Sequence, residues 1–149
     1  MTVQITIIGL GQVGASIGLA LASHKDSVVC VGHDKDFSIE RTAQQKGAVD
    51  KTEHNLPKAV QDARLVLLAL PVHQVRETLE FIAPDLMPGT VVVDTSPIKS
   101  GVANWAREIL PENCYYVGIV PTIAAEFLQE AGTGLDSAKA DLFKDSIFL

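Results

Sequence analysis

Cysteine is scarce in this chain of 149 residues: there are 2, Cys30 and Cys114, far apart and in no metal-ligand spacing. They offer no disulfide framework and no cysteine metal site, and no metal is expected. Both read as buried or half-buried thiols of a reducing compartment, here the cytoplasm. Positive charge is also short. Lys and Arg number 12 against 18 Asp and Glu, for a net charge of −6, and no segment concentrates them. Nucleic acid and anionic membrane both need a basic footprint, so neither is expected as a partner. No Lys or Arg precedes the uncharged stretch from 5 to 22, which therefore lacks the n-region of a signal peptide. Glycines at 9, 11, 14 and 18 interrupt it as a membrane span. Internal repeats, low-complexity linkers and any recognisable Ser-His-Asp, metal-ligand or Walker arrangement are absent too.

What is present is apolar and patterned. Hydrophobic residues make up 47% and charged residues 20%, the balance of a globular protein with a core. The length suits one domain, 1–149, which buries roughly two thirds of its unfolded surface without help from disulfide or metal. Val3 to Ile8 is short, β-branched and apolar and reads as a buried strand. After Gly9-Leu10-Gly11 the period changes, and Val13, Ile17 and Leu21, with Ala20 beside them, predict one helical face. Val28 to Val31 predicts a strand, ending at Gly32-His33-Asp34, and Ile39 to Lys46 a helix stopped by Gly47. A short strand near Val49 and a brief helix from Pro57 to Asp62 follow. Leu65 to Leu70 is a strong strand, and Val75, Leu79 and Ile82 line the next helix. Val91 to Val93 is a strand; Ile98, Val102, Trp105 and Ile109 share a helical stripe; Tyr115 to Val120 is a further strand. Ala138 to Phe143 predicts a short helix, and Ile147 to Leu149 begins another apolar strand. Because the chain stops inside that run, it is expected to be a fragment. Strands alternating with helices imply parallel strands joined by right-handed crossovers, hence an α/β doubly wound sheet of Rossmann type.

Gly9-Leu10-Gly11-Gln12-Val13-Gly14 fits G-x-G-x-x-G, after a strand and opening a helix within a βαβ unit. Gly9 permits the tight turn, Gly11 lets the backbone approach a pyrophosphate, and Gly14 lets helix pack on strand. The first helical amides, at Gln12 and Val13, favour the diphosphate. Asp34, 20 residues after Gly14, stands where an acid accepts hydrogen bonds from the adenosine ribose. Its charge repels a 2′-phosphate, so NAD is expected over NADP, with the neighbouring Lys35 softening the preference. The plainer alternative is a strand-to-helix turn with a solvated acid. Ligands of such sheets lie outside the carboxyl ends of the strands. Ala69, Leu70, Pro71 and Thr95 are therefore placed with the cofactor, alongside the polar groups His73, Ser96, Lys99, Thr122 and Glu126. His73 faces the cofactor or is simply exposed. Lys99 binds an acidic substrate or lies on a solvated face. His24, His33 and His54 follow no ligand or triad spacing and read as surface residues.

Together the blocks IIGLGQVGASIGLAL, LVLLALPV (65–72), APDLMPGTVVVDTSPIK (83–99), YYVGIVPTIAAEF (115–127) and ADLF (140–143) resemble the prephenate and arogenate dehydrogenase family over nearly the whole chain. The resemblance implies an NAD(P)-dependent oxidoreductase of tyrosine biosynthesis, that is, of aromatic amino acid biosynthesis. Members transfer hydride from the ring hydroxyl carbon of a cyclohexadienyl acid to nicotinamide, with loss of the ring carboxylate. It also implies a helical C-terminal half, absent here, that forms a homodimer and completes the substrate site. Two positions depart from the pattern. The family has a histidine before the proline after the sixth strand, and this chain has Val120-Pro121. The family has a serine two residues before the lysine matching Lys99, and here that position is Pro97. Valine neither accepts a proton nor polarises a hydroxyl, so no catalytic residue is assigned. A related NAD(P)-dependent dehydrogenase or reductase with another substrate, and a non-catalytic NAD-binding regulatory module, remain the alternatives.

Overall fold

The computed structural model describes residues 1–130 and 132–145. Among them, six parallel strands form one sheet: β1 (Val3–Ile8), β2 (Val28–His33), β3 (Lys51–Thr52), β4 (Leu65–Leu68), β5 (Val91–Asp94) and β6 (Tyr115–Gly118). They lie in the order β3-β2-β1-β4-β5-β6. The chain winds outward in one direction from β1 to β3, then crosses back to β4 and winds the other way. This is the doubly wound sheet expected from the sequence, and its order reverses between β1 and β4. The crossovers carry α1 (Gln12–Leu21), α2 (Phe37–Gln45), α3 (Leu56–Val60), α4 (Val72–Ile82) and α5 (Lys99–Ile109).

Parallel strands covered on both faces are apolar on both, and alternate residues divide between two cores. Ile8, Val66, Leu68 and Val92 point to one side, where they meet Val60, Val75, Leu79, Ile82, Val102 and Ala106 of α3, α4 and α5. Ile7, Leu67 and Val93 point to the other, towards Ala15, Ala43, Val49 and Leu135. Val75, Leu79 and Ile82 are fully buried, as their 3-4 spacing predicts. Truncating a side chain such as Leu79 to alanine costs about 2–5 kcal/mol in a core of this kind.

The structure corrects several local expectations. In α1 the buried residues are Gly14, Ala15, Ser16 and Gly18, whereas Val13, Ile17 and Leu21 are only half-buried and Ala20 is exposed. A helix that must reach the glycine turn turns its small residues inward, because bulky ones would hold it off. α2 begins two residues before the expected start, since Asp36 caps it by accepting from the Ser38 amide at 2.8 Å. Val49 is core rather than strand; the strand is Lys51–Thr52. β4 ends at Leu68 and β6 at Gly118, so Ala69, Leu70, Ile119 and Val120 leave the sheet earlier than their apolar run suggests. Ile98 precedes α5 and is 52% exposed, so it is no part of the inner stripe. The helix expected at 138–143 is absent. A 3₁₀ turn spans Leu135–Ser137, and turns follow. There the backbone is engaged elsewhere: the Lys139 amide donates to Ser16 Oγ, and the Leu142 carbonyl accepts from Ala124 N. The strand expected at 147–149 lies outside the described residues.

Candidate functional site

The reversal between β1 and β4 opens a crevice at their carboxyl ends, and the glycine turn sits at its mouth. Gly9 leaves β1 at φ +93°, and a Cβ there would stand 2.3 Å from the Ala69 carbonyl oxygen. A Cβ on Gly14 would stand 1.9 Å from the Gly9 carbonyl oxygen. Both positions are closed to any side chain by the fold itself. Gly11 differs, for a Cβ there would meet nothing within 4 Å. Nothing in the described residues requires a glycine at 11, and the space in front of it is open.

Asp34 closes the other side of the turn. One oxygen, Oδ2, accepts from the Leu10 amide at 3.0 Å, and Oδ1 accepts from the Asp36 amide at 3.0 Å. The acid at the end of β2 is thus tied to the backbone of the glycine motif 24 positions away in sequence. Gly9, Gly11, His33, Asp34, Lys35, Ala69, Leu70 and Pro71 line one groove of about 320 Å³, with Leu56, Gln74 and Thr78. The last three, and His33, were missed from the sequence. Gln74 and Thr78 could have been found, because their i,i+4 spacing puts them on one face of α4. Leu10 is buried beneath the turn, so it contributes its amide and not its side chain. Gln12 and Val13 open α1, with Gln12 Nε2 reaching the Ser137 carbonyl at 3.4 Å. A larger depression of about 490 Å³ lies between α5 and β6, lined by Arg107, Leu110, Pro111 and Tyr115 among others. It touches neither the turn nor Asp34.

The carboxyl ends of β5 and β6 hold a different arrangement. Asp94 is fully buried. Its carboxylate accepts from Ser96 N at 3.1 Å, Ser96 Oγ at 2.8 Å, Tyr116 Oη at 3.4 Å and Lys99 Nζ at 3.5 Å. Lys99 Nζ also donates to the Asp94 carbonyl at 3.1 Å. Burial first, and then the Asp94 charge, push the Tyr116 phenol up to about 12, so it stays protonated and donates. Thr95, placed with the cofactor from the sequence, turns its hydroxyl to the Leu68 carbonyl at 3.1 Å. Lys99, expected to meet an acidic substrate or solvent, pairs with Asp94 while its side chain stays 32% exposed. His73 is exposed on the first turn of α4. Val120 is half-buried two residues beyond β6.

The reading of His33 and His54 as separate surface residues is corrected. Both are partly buried and converge on the buried Glu40, with His54 Nδ1 at 3.1 Å and His33 Nδ1 at 3.7 Å from its carboxylate. Spacings of 7 and 14 residues across a strand, a helix and a loop follow no local rule, so only the fold could unite them.

This geometry agrees with what the chain resembles. The family described as "Prephenate dehydrogenase, nucleotide-binding domain" matches over residues 17–149. The chain belongs to this family. A prephenate dehydrogenase from Lactococcus lactis subsp. cremoris is 28% identical over 148 residues, covering 98% of this chain and 40% of that protein. A glycerol-3-phosphate dehydrogenase [NAD(P)+] from Photorhabdus laumondii is 30% identical over 165 aligned positions, covering 99% of this chain and 47% of that one. Among solved structures, a prephenate dehydrogenase from A. aeolicus, in complex with hydroxyphenyl propionate and NAD+, superposes with a TM-score of 0.82 at 20% identity. It covers 97% of this chain and 49% of that one, and establishes likeness of fold. The chain thus spans less than half the length of these relatives. Among the described residues, no helix is long and apolar enough to cross a membrane.

Proposed function

We propose that this chain is the NAD-binding domain of a prephenate dehydrogenase-like oxidoreductase. In this reading, a helical C-terminal half supplies the rest of the substrate site and a homodimer contact, and the substrate is a cyclohexadienyl acid, prephenate or arogenate. The setting is cytoplasmic tyrosine biosynthesis. The observation that carries the cofactor reading is the hydrogen bond of 3.0 Å from the Leu10 amide to Asp34 Oδ2. It holds the ribose-reading acid against a glycine turn whose middle position opens into free space. The donor set fits the dinucleotide. The amides of Gln12 and Val13 at the start of α1 face the pyrophosphate, Gly11 leaves room for it, and Asp34 accepts from the adenosine ribose hydroxyls. Lys35 lies beside that ribose, and Ala69, Leu70, Pro71 and Thr95 border the path towards the nicotinamide. NAD supplies the hydride acceptor. The protein's own contribution is to orient it and to exclude a 2′-phosphate through the Asp34 charge.

The second reading, a related dehydrogenase with another substrate, is favoured by one feature. Among the described residues at the β5–β6 edge, Ser96, Lys99 and Tyr116 are engaged with Asp94, and Val120 stands where the resemblance places a base. The glycerol-3-phosphate dehydrogenase relative belongs to that class. Isothermal titration with NAD and NADP tests the shared cofactor claim. NAD is expected to bind more tightly, and equal or tighter NADP binding overturns the assignment of Asp34. Asp34→Asn, which keeps an acceptor for Leu10 but removes the charge, is expected to weaken NAD roughly tenfold and narrow the gap, as loss of a hydrogen bond to a charged group does. Dehydrogenation assays of the full-length protein with prephenate, arogenate and glycerol 3-phosphate separate the two readings.

A further inference from the structure

His33 ends β2, Glu40 lies on α2, and His54 follows β3, so three separate elements deliver one cluster. The candidate ligand atoms of the three side chains lie within 4.8 Å of one another. Glu40 Oε2 is 3.1 Å from His54 Nδ1, and Oε1 is 3.7 Å from His33 Nδ1. Zinc bonds to imidazole nitrogen and carboxylate oxygen at about 2.0–2.2 Å, which places neighbouring atoms of a tetrahedron about 3.3 Å apart. With one atom taken from each side chain the cluster spans up to 4.8 Å, so rotation of the imidazoles and the carboxylate must draw it in by about an ångström to reach that spacing.

We propose that His33, Glu40 and His54 form a binding site for a zinc-class divalent transition metal, with water in the fourth position. The claim does not rest on the cofactor reading. Two imidazoles and one carboxylate suit zinc and its neighbours better than magnesium or calcium, which take mostly oxygen. The carboxylate side chain is only 4% exposed, while His54 is 37% exposed. The site therefore has a buried floor and a solvent-facing entry. Supporting contacts hold the ligands in place, as metal sites require. Glu40 Oε1 accepts from the Asp34 amide at 3.0 Å. Phe37 stacks on the His54 ring with centroids 3.5 Å apart and planes 17° from parallel. Local charge favours a cation as well. Asp34, Asp36, Glu40 and Glu53 on these segments outnumber Lys35, Arg41 and Lys51 by one when both imidazoles are neutral. Binding through Nδ1 replaces the His54 proton now shared with Glu40. It also moves the His33 proton to Nε2, which breaks the 3.1 Å hydrogen bond from His33 Nδ1 to the Glu53 carbonyl and requires the ring to turn away from it.

The test is titration of tag-free protein with Zn²⁺ by calorimetry, with Co²⁺ as a spectroscopic probe. Expected are one metal per chain, a Zn²⁺-dependent rise in Tm, and a visible d–d absorption of Co²⁺ with the intensity of a four-coordinate site. His54→Ala removes a half-exposed side chain without opening the core, so the variant remains folded. It is expected to weaken uptake by more than the roughly 10–100-fold that loss of an outer partner alone costs. Glu40→Gln is expected to do the same, with its Tm measured in the absence of metal to separate folding from binding. Two results overturn the proposal. One is no Zn²⁺ uptake by folded wild-type protein. The other is uptake that His33→Ala and His54→Ala leave unchanged. NAD titration of wild-type protein with and without Zn²⁺ tests the cofactor assignment separately, because His33 lines the same groove and Glu40 holds the Asp34 amide.

Discussion

The two ends of the sheet's carboxyl edge are built on opposite principles. At β1 and β4 the working parts are backbone: amides at the start of α1, a glycine with open space before it, and one acid that braces the turn. At β5 and β6 the working parts are side chains, and they face inward. Asp94 gathers Ser96, Lys99 and Tyr116 around itself, and Thr95 bonds back to Leu68. A buried carboxylate left without such partners would be strongly destabilising, so these groups stabilise the turn. The comparison teaches that one end leaves open space before its backbone whereas the other fills its own space with bonded side chains. The chemistry at the second end, on the proposed function, depends on groups from beyond this chain.

The sharpest way to break this comparison is at the glycines. Gly11→Val is expected to abolish NAD binding while the protein stays folded, because its side chain enters open space that the pyrophosphate needs. Gly14→Val is expected to prevent folding, because its Cβ meets the Gly9 carbonyl at 1.9 Å. Calorimetry and thermal melts on both variants check the pair, and near wild-type NAD affinity in Gly11→Val would show that the turn does not face the cofactor. A second test addresses the β5–β6 end. A positioned general base contributes about 10²–10⁴-fold. Full-length protein is therefore expected to turn over prephenate weakly or not at all, and Val120→His to raise that rate about tenfold, the gain being limited by Pro97 in the neighbouring loop. Steady-state kinetics on prephenate and arogenate decide it; robust wild-type turnover that the substitution lowers would remove Val120 from the argument.

The smallest effect is a pH dependence. Burial raises the Cys30 thiol from 9.0 to about 11 and the Tyr116 phenol from 10.0 to about 12. Both are neutral when protonated, and folding favours that form. Their contribution is fully present below the unfolded values and is lost as pH rises through the folded ones, between about pH 9 and 12. Tm is expected to fall by a few degrees across that window, and less steeply in Cys30→Ala and Tyr116→Phe, each compared with its own Tm at pH 8. Parallel curves for variants and wild type would assign the alkaline loss to other groups.

Much of the architecture was legible because it is periodic. Val3–Ile8, Leu65–Leu68 and Val91–Asp94 announce buried strands by composition, and Val75, Leu79 and Ile82 announce a helix face by spacing. Boundaries were less legible. Leu70 and Val120 are as apolar as the strands they follow, and only pairing ends a strand. The segment 138–143 has helical composition, yet its backbone groups find partners in Ser16 and Ala124, a competition invisible in one dimension.

The sequence by itself determined the doubly wound order of elements, the glycine motif and the position of Asp34, since each depends on local spacing along the chain. Tertiary structure alone decided that Gly11 faces open space while Gly9 and Gly14 do not, and that Lys99 is turned inward to Asp94. It also decided that His33, Glu40 and His54 meet. The physical reason is common to all three. Whether a position is open, closed or paired depends on which atoms stand within contact distance of it, and that distance is set by packing between elements far apart in the chain.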